Sequence, residues 1–143
     1  GYKADQCSER HMAKAAASLT YTFANASVPK VTVITGEAYG TAYLTMASKA
    51  IGADIVYAWP NASIGMMDSK SAAKIMYEGS DAATINEKAA EYATLQNNVT
   101  SAARRGYVDT IIEPEDTRKY VIGAFEMLYT KREDRPDRKH GTV

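Results

Sequence analysis

Residues Val28-Pro29-Lys30-Val31-Thr32-Val33-Ile34-Thr35 form an apolar, β-branched run that leads into Ala38-Tyr39-Gly40-Thr41-Ala42-Tyr43. The first segment predicts a strand over residues 30–35, and its proline ends any preceding helix. The glycine of the second segment predicts a turn into a helix of small residues. A turn of this kind directs free backbone N–H groups to one place. Such groups hold an anion, or a developing oxyanion, without a catalytic side chain.

Strands and helices alternate along the rest of the chain. Apolar and β-branched runs predict strands over residues 30–35, 54–58, 64–67 and 108–112. Helical periodicity and capping residues predict helices over residues 9–24, 40–48, 69–78, 81–96 and 114–131. The last helix is predicted to bury Val121, Phe125 and Leu128. The alternation favours an α/β layered structure, and 143 residues correspond to one domain, residues 1–143.

Composition excludes several classes of function. The formal net charge is zero, so no basic field indicates nucleic acid or an anionic membrane as a partner. No apolar run approaches the roughly 20 residues that span a bilayer. One cysteine, Cys7, and two histidines, His11 and His140, are too few for a recognisable zinc site. With no signal peptide in the sequence, we expect a cytoplasmic protein.

Several conspicuous residues have a structural interpretation that we favour over a chemical one. Trp59 before Pro60 is more typical of a large residue that closes a strand than of a ligand contact. Asp54 and Asp109 have no partner carboxylate at a spacing that would indicate an acid–base pair. We therefore expect turn or cap roles for them rather than acid–base chemistry. The charged tail over residues 135–140 is predicted to be solvated or to contact another subunit.

The order and spacing of several short motifs resemble a known family. The chain is similar to the carboxyltransferase subunit of biotin-dependent acyl-CoA carboxylases and to the α subunits of biotin-dependent decarboxylases. The motifs that carry the resemblance are Val28–Tyr43, Ser48-Lys49, Gly52-Ala53-Asp54, Ala58-Trp59-Pro60, Ala103–Asp109, Ile112-Glu113-Pro114, Thr117-Arg118 and Arg135–His140. The resemblance implies the crotonase-like (ClpP/crotonase) fold, a layered sheet flanked by helices. It places the chain in the C-terminal part of the carboxyltransferase C-domain, so we expect a piece of a longer subunit that is inactive alone.

The resemblance also implies a site at the glycine turn. The backbone N–H groups of Thr41 and Ala42, following Gly40, correspond to an oxyanion hole. It would stabilise the negative charge that develops during carboxyl transfer. Further residues are implied to bind substrate: Tyr39 and Tyr43 at the biotin pocket, Leu44 at a position linked to acyl-chain choice, and Gly1 and Tyr2 in a loop near the active site.

The cofactor and partners implied by the resemblance are those of a carboxyl-transfer complex. The cofactor is biotin, delivered as carboxybiotin on a separate carrier protein, with no metal in this chain. The partners are an acyl-CoA, the biotin carboxyl carrier protein and a biotin carboxylase subunit. A homo-oligomer is expected, a dimer of trimers in the full-length family.

Departures from the family pattern leave alternatives open. Gly36-Glu37 replaces a basic pair, Thr41 replaces a second glycine, and residues 3–5 (Lys-Ala-Asp) replace Leu-Pro-Gly. The favoured hypothesis is transfer of CO2 between carboxybiotin and the α-carbon of an acyl-CoA. One alternative is the α subunit of a biotin-dependent methylmalonyl-CoA decarboxylase. Another is a carboxyltransferase-like assembly module without catalytic activity.

Overall fold

The structure, a computed structural model, describes residues 9–134. Its helices are α1 Glu9–Asn25, α2 Gly40–Thr45, α3 Ser69–Met76, α4 Ala82–Tyr92, α5 Val99–Arg104 and α6 Thr117–Met127. Its strands are β1 Val31–Ile34, β2 Glu37–Tyr39, β3 Ile55–Ala58, β4 Ser63–Gly65 and β5 Thr110–Ile111. Short 3₁₀ turns cover Lys49–Ile51 and Pro114–Asp116, and a π-helical turn covers Ala93–Asn97. No helix in this part of the chain has the length and apolar character needed to cross a bilayer.

Two parallel sheets organise these elements. The first sheet has the order β1-β3-β5, with Val31 opposite Ile55 and Ala58 opposite Ile111. The second pairs β2 with β4 and places Tyr39 opposite Gly65. Parallel pairs need crossover connections, and the helices between the strands supply them. The predicted α/β layered architecture is confirmed.

Most predicted elements are confirmed with shifted ends. Asp68 and Asp81 cap α3 and α4 through their side chains, and Gly79 between them has a φ of +87°. The predicted helix over residues 40–48 ends at Thr45, and the strand over residues 108–112 is reduced to two residues. The strand β2 was not predicted, because glycines flank it and it forms only by pairing with β4.

The predicted buried face of the last helix is right in part, because Val121 and Leu128 are half-buried, and wrong for Phe125, which is exposed. Ala124 is the residue that is buried, at 1% exposure, and it packs with Tyr57 and Ile112. The small alanine lets α6 approach the sheet closely. Phe125 is consequently 47% exposed and borders a surface cleft beside Val28.

Two aspartates fasten the first sheet to its surroundings. Asp54 accepts hydrogen bonds from the Lys30 N–H at 2.7 Å and from the Lys131 ammonium at 2.8 and 2.9 Å. Asp109 accepts from the Val56 N–H at 2.8 Å and pairs with Lys49 at 2.7 Å. Each carboxylate thus joins the backbone of a strand to a lysine from another segment. The turn or cap roles predicted for these aspartates are therefore wrong: both side chains are structural, but each bonds to a lysine and to a backbone N–H from a distant part of the sequence.

The environment of Asp54 makes stability depend on pH. Burial alone would raise the pKa of Asp54. Hydrogen bonds from Lys131 and from the Lys30 N–H, together with the charges of both lysines, lower this pKa by more than burial raises it. The net pKa lies below its usual value. A carboxyl with a depressed pKa in the folded state stabilises the fold above the unfolded pKa, about 4. This contribution is lost as the pH falls through the folded value.

Asp54→Asn should therefore lower the free energy of unfolding at pH 7 by about 1–3 kcal/mol, since it leaves Lys131 with only its longer ion pair, to Glu133 at 3.4 Å. The loss of stability below about pH 4 should also be shallower in this variant. Urea unfolding at several pH values measures both effects. Glu91→Gln, which breaks the exposed pair with Lys88, is the matched control and should change stability far less. Equal losses in the two variants would contradict the role given to Asp54.

Candidate active site

The turn between β2 and α2 favours glycine at position 40. Gly40 has a φ of +59°, in the left-handed region that side chains disfavour. A Cβ atom at this position would lie 3.2 Å from the carbonyl oxygen of Met66. The pairing of Tyr39 with Gly65 brings that carbonyl to the turn. Both the backbone conformation and the close approach of this oxygen therefore disfavour a side chain here.

The first turn of α2 carries backbone donors that no side chain caps. Tyr39 occupies the N-cap position and makes no side-chain hydrogen bond to the turn. Thr41 and Ala42 lie in the first turn, where N–H groups have no acceptor within their own helix. The Ala42 carbonyl accepts a hydrogen bond from the Met46 N–H at 3.2 Å, so the helical turn that follows these donors has a regular backbone hydrogen bond. The turn can thus donate hydrogen bonds to a ligand.

A cleft of about 400 Å³ lies beside this turn. The structure brings three of the predicted residues, Tyr39, Ala42 and Tyr43, to its wall. The rest of the wall is formed by residues 32–38 and Met46. The side chain of Thr41 is exposed and is not part of the wall, so its branching does not narrow the cleft.

Leu44 lies on a different cavity. This second cavity has a volume of about 170 Å³ and is bounded by Tyr43, Leu44, Ala50, Ile64, Gly65, Met66, Ala102, Arg105 and Tyr107. Tyr43 borders both cavities, which places it between the glycine turn and Leu44. Burial raises the pKa of the Tyr43 hydroxyl, and the neighbouring Tyr107 raises it further. Tyr43 is therefore a neutral hydrogen-bonding group at neutral pH.

Other predicted residues lie elsewhere. Gly1, Tyr2, residues 3–5 and the tail over residues 135–140 are outside the described residues. Trp59 donates from its ring nitrogen to the Thr117 hydroxyl at 2.9 Å and packs on the cluster around Tyr57, which confirms its structural interpretation. Within residues 9–134, no group of three or more His, Cys, Asp or Glu side chains is placed to hold a metal ion.

Sequence reasoning did not assign residues 32–38, Met46 or Met66 to the site. Met46 lines the cleft one helical turn after Ala42, a spacing that places both on one helix face and could have revealed it. Met66 contributes its backbone carbonyl, which carries no sequence signal. A wider groove of about 620 Å³ along α6 contains none of the predicted site residues.

Comparisons with known proteins agree with the family resemblance. The family model described as the carboxyl transferase domain matches residues 4–143. A putative propionyl-CoA carboxylase beta chain of Bacillus subtilis is 49% identical over 140 residues, covering 94% of this chain and 27% of its own length. A methylmalonyl-CoA decarboxylase subunit alpha of Propionigenium modestum is 46% identical, covering 94% of this chain and 26% of its own length.

The fold agrees with a solved relative. A crystal structure of the transcarboxylase 12S hexamer, with methylmalonyl-coenzyme A bound, superposes with a TM-score of 0.91 at 40% identity. The match covers 98% of this chain and 28% of that one. It confirms the crotonase-like fold expected from the sequence. The chain spans about a quarter of the length of the relatives it matches.

We expect Gly40→Ala to lower the free energy of unfolding by about 1–3 kcal/mol, because alanine would have to adopt a left-handed conformation against the Met66 carbonyl. Gly36→Ala is the matched control, since a Cβ there meets no atom within 4 Å and should change stability by less than about 0.5 kcal/mol. Urea unfolding of both variants distinguishes them. A Gly40→Ala protein as stable as Gly36→Ala would show that the turn tolerates a side chain.

Proposed function

This chain belongs to the carboxyl transferase domain family, and on that premise we propose that it forms part of a biotin-dependent acyl-CoA carboxyltransferase. The enzyme moves CO2 between carboxybiotin and the α-carbon of an acyl-CoA. The observation that carries the proposal is the uncapped first turn of α2 beside a cleft of about 400 Å³. Since the chain spans about a quarter of its relatives, the activity is proposed for the whole protein.

The chemistry of carboxyl transfer suits backbone donors. When bound, biotin supplies the carboxyl group that is transferred. The α-proton of the acyl thioester would pass to the biotin ureido nitrogen as the bond between this nitrogen and CO2 breaks. The thioester oxygen would carry negative charge until the α-carbon bonds to CO2. Donors fixed in advance at the place where such charge develops stabilise the transition state and need no reorganisation. The N–H groups of Thr41 and Ala42 are held in this way by the helix that follows them.

The cleft fits the biotin ring system in the character of its wall. Tyr39, Tyr43, Ala42 and Met46 offer aromatic and apolar surface beside the donors, an arrangement typical of small-molecule sites. In the proposal, Thr41 and Ala42 donate to an oxygen and the tyrosines orient the ring. Leu44 lines the adjacent cavity, and in the proposal this cavity receives the acyl group, so that Leu44 influences acyl-chain choice.

The proposed partners follow from the same family. They are an acyl-CoA, a biotin carboxyl carrier protein and a biotin carboxylase subunit, acting with further copies of the chain in a cytoplasmic homo-oligomer. The described residues leave many large apolar side chains exposed, as subunit contacts would require. Prominent examples are Met66, Ile75, Met76, Leu95, Met127 and Tyr129.

A second candidate is the decarboxylase direction of the same transfer. The 46% identity to a methylmalonyl-CoA decarboxylase subunit alpha supports it almost as strongly as the 49% identity to the carboxylase beta chain supports the first. Both candidates use the same site. Because a catalyst accelerates both directions of one transfer, the partner of the full-length subunit distinguishes the candidates: a biotin carboxylase subunit supports the first, and a multi-span membrane subunit supports the second.

Ala42→Pro should reduce carboxyl transfer in a full-length subunit carrying this sequence by roughly 100-fold or more, the size expected when one oxyanion donor is lost. Proline removes the N–H of Ala42, which has no acceptor within α2. The first turn of a helix accepts proline more readily than its interior, so circular dichroism should show that the fold is retained. Turnover with free carboxybiotin and an acyl-CoA is the measurement.

Thr41→Gly is the matched control, because it changes the adjacent residue and keeps both N–H groups. Its turnover should equal or exceed that of the unmodified protein. If Ala42→Pro folds and keeps full turnover, the backbone of this turn is not the catalytic group. The assembly module without activity then becomes the better interpretation.

A further inference from the structure

Asn97 is a buried polar residue that the proposed chemistry does not use. Its exposure is 2%, and it is the last residue of the π-helical turn after α4. A π turn contains one residue more than an α turn, and such turns are frequent at functional sites. The Asn97 amide nitrogen donates to the Met67 carbonyl at 3.1 Å. Asn97 thus holds the backbone that follows β4.

The side-chain oxygen of Asn97 packs on β4 itself. A Cβ built on Gly65 would lie 2.5 Å from the Asn97 side-chain oxygen, so this oxygen occupies the space that a side chain would need. Asn97 therefore contacts the chain on both sides of Met66, at Gly65 and at Met67. Met66 is the residue whose carbonyl oxygen lies against Gly40.

We propose that Asn97 is a positioning residue that fixes the Met66 carbonyl against Gly40 and thereby sets the location of the Ala42 N–H in the cleft. The functional part of this proposal rests on the function proposed above. Gly65 also pairs with Tyr39 across the second sheet. A shift of β4 would therefore displace the turn both through this pairing and through the Met66 carbonyl that contacts Gly40. Donors in an active site must be held closely, and a displacement of 1 Å can cost 100-fold in rate.

The proposal requires an amide at position 97. Aspartate has the same shape but lacks the donor, and it would place a second acceptor against the Met67 carbonyl. Asn98 provides a matched control in the next position. It caps α5 by accepting from the Ser101 N–H at 2.7 Å, a role that aspartate fills as well. Its amide nitrogen also donates to the Thr94 carbonyl, so aspartate at position 98 loses a donor just as at position 97, but these side-chain bonds reach neither Gly65 nor Met67.

The first experiment compares Asn97→Asp with Asn98→Asp in ¹⁵N–¹H spectra of the 143-residue chain. We expect the amide signals of Gly40, Thr41 and Ala42 to move in Asn97→Asp and to stay in place in Asn98→Asp. Unmoved signals in a folded Asn97→Asp protein would overturn the positioning role.

A second pair of variants keeps the proposal testable if Asn97→Asp does not fold. Gly65→Ala should displace Asn97 and move the same three amide signals. In an Asn97→Ala background the added methyl group has room, so its effect on those signals should be at least halved. Equal effects in the two backgrounds would show that Gly65 and Asn97 are not coupled, and would overturn the proposal.

The third measurement is the kinetic effect in a full-length subunit. Asn97→Asp should lower kcat roughly 10-fold or more, while the KM for acyl-CoA changes less than twofold. General destabilisation would lower the amount of active enzyme without moving the amide signals of the folded fraction. If the unmodified subunit shows no transfer at all, the proposed function fails, whereas the spectra still decide whether Asn97 positions the turn.

Discussion

The contact between the Met66 carbonyl oxygen and Gly40 is the constraint on which the site depends. The oxygen would lie only 3.2 Å from a Cβ at position 40, and the chain passes this point with a positive φ. Helix α2 therefore starts abruptly, with an extended Tyr39 before it and no side chain that caps its first turn. The donors at Thr41 and Ala42 remain available because of this abrupt start. An ordinary capped helix at this place would have consumed one of them.

The rest of the fold holds the two sides of this contact in place. The turn follows β1 and β2, and the carbonyl follows β4, so the two sheets must keep a fixed relation. The parallel pairing of β1 with β3 and the carboxylates of Asp54 and Asp109 fasten the first sheet. Asn97 fastens the end of the second. Polar side chains bonded to backbone groups are what make these connections specific, because apolar packing alone tolerates small displacements.

The sequence predicted those features that local chemistry controls. The β-branched run before Gly40, the cap at Asp68 and the left-handed Gly79 each follow from the residues at that position. The sequence did not predict what distant pairing controls. Strand β2 exists only beside β4, and Ala124 rather than Phe125 is buried because of how closely α6 approaches the sheet.

The candidate site likewise combines features set by local sequence with features set by contacts between distant residues. Gly40 and the residues after it were found because glycine, and the family motif around it, are visible in the sequence. The partner atom on Met66 is a backbone oxygen, which every residue type possesses. Asn97 stands 57 positions from Gly40, and no spacing rule connects the two. Only the folded structure shows that Asn97 contacts the residues on both sides of Met66, whose carbonyl lies against Gly40.

Titration of the chain with free biotin, followed in ¹⁵N–¹H spectra, tests the central claim most directly. The account predicts that the amide signals of Thr41 and Ala42 move with saturable dependence on biotin concentration, together with those of Tyr39 and Tyr43 on the same cleft. Saturable changes confined to another surface, such as the groove along α6, with Thr41 and Ala42 unmoved, would contradict it.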